Sequence, residues 1–402
     1  ALAGGGRGRV APVASMTGAG AAAYDVVVVS AGIVGACCAY ELARAGLSVC
    51  VVDRGGVASG TTGAGEGNIL VSDKAAGPEL ELALLSRQLW FELLDALPRT
   101  VELETKGGVI VTGTERGLAS LSALSAGQRA SGVEAYDVDA AGLLDLEPHL
   151  APTLLGGVHY PQDMQVQPML AAAHLLRRAR DLGAAMRLRT EVLGAVTGAG
   201  GAVTGVATDQ GPIACRWIVN AAGTWGGEVS SRLRAPVPVL PRRGFILVTE
   251  PLGDIVRHKV YGADYVDNVA SSAEGLETSP VIESTRAGTV LIGASRERVG
   301  FDRTVSYDVL GRLAAQARAL FPVLGRARVQ RTYRGFRPYC PDHLPVIGLD
   351  PRVDGVVHAC GHEGAGIGLA PATGRLVAQA LTGSATSMPL DAFSPVRFEA
   401  AA

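Results

Sequence analysis

At 402 residues and 48 % hydrophobic composition, the chain can fill the cores of two or three domains. A formal charge of −2 with 18 % charged residues excludes the electrostatic footprint of a nucleic-acid binder or an anionic-membrane binder. No apolar run approaches the roughly 18–20 residues that a membrane-spanning helix needs. The six cysteines, Cys37, Cys38, Cys50, Cys215, Cys340 and Cys360, form no C-x-x-C pair, which argues against a zinc site or an iron–sulfur cluster and for a cytoplasmic protein. Residues 1–23 are rich in Ala and Gly and lack the apolar core of a signal peptide. They are expected to form a disordered extension, with Met16 as an internal start.

The first patterned stretch is "VVVVSAGIVGACCAYELARAGLSVCVVD", residues 26–53. Asp25 to Val29 reads as a strand buried on both faces, Ile33 to Arg44 as a helix closed by Gly46, and Leu47 to Asp53 as a second strand. This is a βαβ unit, with Cys37 and Cys38 as core thiols of its helix. Gly32 and Gly35 stand at the offsets of a dinucleotide fingerprint. Gly32 permits close approach of a pyrophosphate to the helix N-terminus at Ile33 and Val34, and Gly35 permits helix–strand packing. Asp53, at the end of the second strand, is placed to accept from a ribose hydroxyl. Ser30 stands where the fingerprint has glycine, so that turn needs either a negative φ or tolerated strain.

NAD and FAD share this fingerprint, and the following segment favours the longer cofactor. "RGGVASGTTGAGEGNIL", residues 54–70, is a polar loop without helix period, where Arg54, Ser59, Thr61 and Thr62 can meet a pyrophosphate and ribityl chain. An amphipathic helix is predicted over Glu79 to Leu97, and "KGGVIVTG" (106–113) begins a strand-rich segment. A helix after Pro168 and a strand from Met186 to Val192 return the chain to the cofactor domain. "CRWIVNAAGTWGGEV" (215–229) runs from a strand into the small residues Ala221, Ala222 and Gly223, beside Trp225. Residues 237–334 supply further strands and a helix near Tyr307 to Leu320. "GVVHACGHEGAGIGLAPATGRLVAQALTG" (355–383) reads as a strand, a glycine loop and a helix opening near Pro371. A helix N-terminus aimed at a flavin would stabilise the negative charge of the reduced ring.

With these stretches together, residues 24–385 resemble the D-amino-acid-oxidase-like flavoproteins. The resemblance rests on the βαβ unit, "SGTTGAGEGN", "VNAAGTW", "GFRPYCPDHLPVIG" (335–348) and "GHEGAGIGLAPATG" (361–374). It is similar in detail to the FAD subunits of multi-subunit opine, hydroxyproline and cyanide-forming dehydrogenases, and to glycine oxidase. The fold implied is α/β, a Rossmann-like FAD-binding domain (24–99, 156–236 and 335–390) with a discontinuous, strand-rich α+β substrate domain (100–155 and 237–334).

The activity implied is FAD-dependent oxidation of the C–N bond of a small amino or imino acid to an imine. Electrons then pass to partner subunits carrying an iron–sulfur cluster or a second flavin, or directly to oxygen in a self-sufficient oxidase. A chain that only carries FAD for a catalytic partner is the alternative from another class. The resemblance assigns Arg337 to the substrate carboxylate, with Arg334 as its alternative, and lays Val192 against the adenine. It places His362 beside the flavin ring together with Glu363, Gly364, Ala365, Gly366 and Ile367, and Gly67 and Asn68 near its N5. Tyr261 and Tyr265 are candidate lids over the substrate, whereas His159 and Tyr160 are read as structural. No metal site is expected.

Overall fold

The computed structural model describes residues 23–93 and 99–401. All but one residue of the expected extension, and the last turn of the helix predicted to reach Leu97, lie outside the described residues.

The βαβ unit forms as its pattern dictates: β1 (Tyr24–Val29), α1 (Ile33–Arg44) and β2 (Val49–Asp53). The four valines of β1 alternate between two cores. Val26 and Val28 face the cluster that holds α1 and the last helix, Gly366–Thr382, while Val27 and Val29 face a cluster with Val192, Val206 and Val229. β1 is therefore apolar at every position because neither face meets water. It pairs in parallel with β2 and with Ile213–Asn220. Ala185–Leu188 and Val356–Cys360 extend the parallel sheet on either side, and Val346–Leu349 closes one edge antiparallel. A Cβ on Gly35 would lie 2.1 Å from the Ser30 carbonyl oxygen, so only glycine lets α1 close on β1.

A second eight-stranded sheet runs in the order Val329–Tyr339, Leu240–Pro251, Thr289–Arg296, Glu277–Ser284, Lys259–Gly262, Gly108–Thr112, Gly156–Tyr160, Tyr136–Asp139. It is antiparallel except for the pairing of Lys259–Gly262 with Gly108–Thr112. The helix Tyr307–Leu320 covers one face through Val309, Leu313 and Ala317.

Four expectations shift. Residues 156–160 pair with Gly108–Thr112 and Tyr136–Asp139 in the second sheet, so the chain returns to the first only after Tyr160. Likewise Val329–Tyr339 is one continuous strand of the second sheet, and the crossing expected at 335 falls after Tyr339. The strand foreseen from Met186 to Val192 is two strands, Ala185–Leu188 and Val192–Thr197, broken at Arg189 with its φ of 54°. The segment 100–155 also carries two helices, Glu115–Ala130 and Ala140–Leu146.

The last helix begins at Gly366, not near Pro371, which lies inside it. Proline leaves the Ile367 carbonyl without its helical donor. One residue on, Ser86 enters the ladder: its hydroxyl donates to the Gly368 carbonyl (2.6 Å) and accepts from Ala372 N–H (3.2 Å). Trp90 Nε1 donates to the same carbonyl (3.3 Å). The helix survives its proline by borrowing a side chain from Pro78–Leu93.

Candidate functional site

One large cavity, about 680 Å³, opens between the two sheets, within the size range of small-molecule and cofactor sites. It is lined by Ser30, Gly32, Ile33, Val34, Asp53, Arg54, Ser59, Thr61, Thr62, Asn68, Val192, Ala222, Gly223, Trp225, Arg337, His362, Glu363, Gly364, Gly366 and Ile367. Residues predicted from stretches more than 300 positions apart thus meet around one space.

At one end lies the open N-terminus of α1. Gly32 caps it without a side chain, and its first turn has no acidic residue. Ile33 N–H donates to Thr62 Oγ1 (3.0 Å), and Gly32 N–H to Ser30 Oγ (3.1 Å). Ser30 itself has φ = 121°, the strained of the two conformations open to it. Asp53 takes Ala31 N–H on one oxygen and Gly55 N–H on the other, both at 2.7 Å. Each carboxylate oxygen keeps a lone pair for a ligand hydroxyl. A positive helix end with no acidic side chain of its own, beside the Asp53 carboxylate, fits a pyrophosphate joined to a ribose.

The polar loop is more internally committed than its sequence suggests. Ser59 Oγ donates to the Gly56 carbonyl (2.8 Å), and Thr61 Oγ1 donates to the Phe336 carbonyl (2.8 Å), so both hydroxyls hold the loop in shape. Arg54 lies over the Trp225 ring, 4.4 Å from its centroid, and Trp225 stacks on Phe301 at 5.5 Å. Phe301 and Arg303 line the cavity from the second sheet's side, unanticipated by any local motif.

At the other end, Arg337 is half-buried in the cavity wall, and its Nη1 donates to the Ser295 carbonyl (2.8 Å). Burial, then the neighbouring Arg296, lowers its pKa to about 10, which leaves it cationic at neutral pH. Arg296 is buried over the Tyr265 ring (4.7 Å), and its Nη1 has no hydrogen-bond partner. Two crowded guanidiniums, one facing the cavity, favour an anion between or before them. Arg296 escaped the sequence reading because it ends an ordinary-looking strand. Arg334 also lines the cavity, with Nε unpartnered.

His362 is buried, and burial lowers its pKa to about 3, so it stays neutral. Thr373 spends its hydroxyl proton on the Leu369 carbonyl (2.9 Å) and must accept from His362 Nε2–H (2.9 Å), which leaves Nδ1 as the imidazole's acceptor. Glu363 is held by Arg242 (2.7 Å) and His343 (2.9 Å).

Four expected site residues lie elsewhere. Tyr261 is not a lid: it is fully buried, with its hydroxyl on Ser72. Strand alternation sends Val260 to the opposite core, and Tyr265, packed edge-on against Tyr261 at 4.9 Å, is the tyrosine that lines the cavity. Gly67 packs instead against Val166, whose carbonyl oxygen would sit 1.8 Å from a Cβ there. Gly35 serves helix packing alone, and Ala365 caps the last helix behind the cavity, in a smaller polar space shared with Arg296.

The family "FAD dependent oxidoreductase" (DAO) matches residues 25–380. Glycine oxidase of Geobacillus kaustophilus is 30% identical over 381 residues, covering 93% of this chain and 97% of that protein. Hydrogen cyanide synthase subunit HcnC of Pseudomonas aeruginosa is 28% identical over 420 residues, covering 94% and 96%. The crystal structure of the Geobacillus glycine oxidase superposes with a TM-score of 0.84 at 28% identity, over 93% of this chain and 98% of that one. The cavity, the open helix end and the acid at the end of β2 suit FAD, and the chain belongs to the DAO family of FAD-dependent oxidoreductases.

Proposed function

We propose that this chain oxidises the C–N bond of a small amino or imino acid to an imine, which water then hydrolyses. Arg337 grips the substrate carboxylate. The observation that carries this reading is the half-buried Arg337, open to the cavity, with the buried Arg296 beside it. A bound carboxylate relieves that repulsion and fixes the substrate's orientation. FAD supplies the two-electron acceptor. The protein's own part is positioning: Tyr265 walls the cavity, neutral His362 presents an acceptor without adding charge, and the helix end and Asp53 hold the dinucleotide. Glycine oxidase and the HcnC subunit among the relatives support a small amino acid as substrate.

Transfer of electrons to a partner subunit is favoured by the resemblance to a protein that is itself a subunit. All six cysteines are buried and free, which suits a reducing compartment and leaves any cluster to another polypeptide. No described helix is long and apolar enough to cross a membrane.

The test is anaerobic screening of D- and L-amino acids, proline derivatives and opines for flavin bleaching, repeated with Arg337→Ala. Wild type should bleach with at least one of them. The variant should retain its FAD, with KM raised about ten- to a hundred-and-fifty-fold, the loss of one charge-assisted hydrogen-bonded contact. Unchanged kinetics would remove Arg337 from the site. Stoichiometric peroxide at a full rate from the lone chain in air would replace the partner reading with a self-sufficient oxidase.

A further inference from the structure

One part of the cavity wall comes from the second sheet and belongs to none of the stretches that build the dinucleotide end. Beyond the strand Thr289–Arg296 the chain crosses the buried Arg243 as a strap, residues 297–304. Arg243 Nε donates to Glu297 Oε1 (2.8 Å), and its Nη1 to the Asp302 carboxylate (2.6 Å), the Asp302 carbonyl (3.1 Å) and the Thr304 carbonyl (3.2 Å). Two backbone bonds between Arg243 and Glu297, at 2.9 and 3.1 Å, pin the start of the strap. Gly300, with φ of 61°, lets it turn, and Asp302 N–H returns to the Val299 carbonyl (3.4 Å). A surface segment tied at both ends to one buried guanidinium keeps a single shape.

That shape carries Phe301 and Arg303 to the cavity. Phe301 keeps 42% of its surface exposed, although its ring stacks on Trp225 and packs edge-on against Phe336 at 5.4 Å. Trp225, with the Arg54 guanidinium over its ring, lies against Gly60, where a Cβ would stand 3.2 Å from the indole. Gly60 opens the short turn Thr61–Ala64, and Thr62 of that turn accepts from the first N–H of α1. The stack therefore adjoins the helix end that suits a pyrophosphate. The charges around it leave Arg303 free. Its neighbour Asp302 is engaged by Arg243 and by the N–H and hydroxyl of Thr304, at 2.9 and 2.7 Å. Of the cavity acids, Glu191 and Glu228 are both held by Arg232, and Asp53 takes two backbone N–H groups. Glu66 lies beside Lys259, and Glu363 is bound by Arg242. Among the described residues Arg303 is exposed and has neither an ion pair nor a hydrogen bond. A diphosphate brings two negative charges, against about half a positive charge from the helix end.

We infer that Arg303, presented by the strap tied to Arg243, binds the diphosphate of FAD from the second sheet's side, with Phe301 closing the aromatic stack beside it. The guanidinium fork matches two phosphate oxygens, so the α1 N-terminus is one of two holding points for the diphosphate. Both halves of the molecule then grip the cofactor, and its release requires the strap to part from Trp225. The inference depends on FAD alone and not on which amine is oxidised, so a substrate screen that fails leaves it standing.

The experiment follows FAD release from the holoenzyme, as the gain of flavin fluorescence on dilution, at low and at high salt. Arg303→Gln should release FAD about tenfold faster than wild type at low salt. Its rate should also change less with salt than that of wild type, because the contact it lacks is the one that salt screens. Arg303→Lys keeps the charge and should recover most of the difference. Phe301→Leu should release FAD faster as well, but with the salt dependence of wild type, since it removes a stacking face and no charge. Wild-type release from Arg303→Gln at low salt would overturn the inference. So would a salt dependence in Arg303→Gln as steep as that of wild type, or an Arg303→Lys as fast as Arg303→Gln.

Discussion

Ser30 shows how one side chain can depart from a fingerprint and keep its geometry. Its φ of 121° is a conformation in which a non-glycine residue costs on the order of 1–3 kcal/mol. The hydroxyl recovers part of that by accepting from Gly32 N–H. Ser30→Gly should therefore raise stability by about 1 kcal/mol, read as a higher midpoint in urea unfolding of the FAD-loaded protein. Flavin retention should be at least that of wild type, because the Gly32 N–H is released toward the cavity. Reduced retention in Ser30→Gly would mean that the serine hydroxyl itself holds the dinucleotide. The position was legible as exceptional from sequence because the glycine spacing around it is strict; which of its two allowed outcomes prevails depended on Gly35 closing α1 against the Ser30 carbonyl.

The helix Gly366–Thr382 depends on a neighbour in the same way. Sequence reasoning starts a helix at its proline, since proline suits a first turn and breaks an interior. Here Ser86 satisfies Gly368 O and Ala372 N–H, and the helix extends five residues earlier, bringing Gly366 and Ile367 to the cavity. Ser86→Ala should leave that N–H buried without the hydroxyl. The expected loss is about 1–3 kcal/mol in denaturant unfolding, with an accompanying drop in FAD occupancy. A variant as stable as wild type would show that Ala372 N–H finds its partner within the helix.

A buried polar knot ties the segments around Ser72 and Asp163 to the second sheet. Asp163 accepts from Val71 N–H (2.9 Å), Ser72 N–H (3.3 Å) and the Ser72 hydroxyl, which also meets Tyr261 of the second sheet. Burial raises the Asp163 pKa to about 6, outweighing these hydrogen bonds. In the unfolded chain the group titrates near 4, so the folded state binds the extra proton between about pH 4 and 6. Stability from this group is present below that window and lost as pH rises through it. Asp163→Asn should abolish the dependence. Relative to wild type, its unfolding free energy should gain on the order of 2–3 kcal/mol between pH 4 and pH 7. Urea unfolding at both pH values measures it, and parallel curves would show that Asp163 is ionised throughout.

Several features were legible along the chain because they are local. The valine run, the glycine offsets, the acid closing β2 and the polar loop after it encode burial and backbone freedom within some thirty residues, and the βαβ unit forms where they lie. Arg337 was legible as a candidate from its motif. The tyrosine that reaches the cavity was not, because Tyr261 lies on the strand Lys259–Gly262 and Tyr265 on the helix Asp264–Ala270 that follows it, and only their packing decides which one meets the cavity. Nor was the place of Arg296, which acquires its meaning only beside Arg337. Periodicity records that a side chain is buried; the partner that neutralises its charge, or leaves it wanting one, comes from the packing of distant segments.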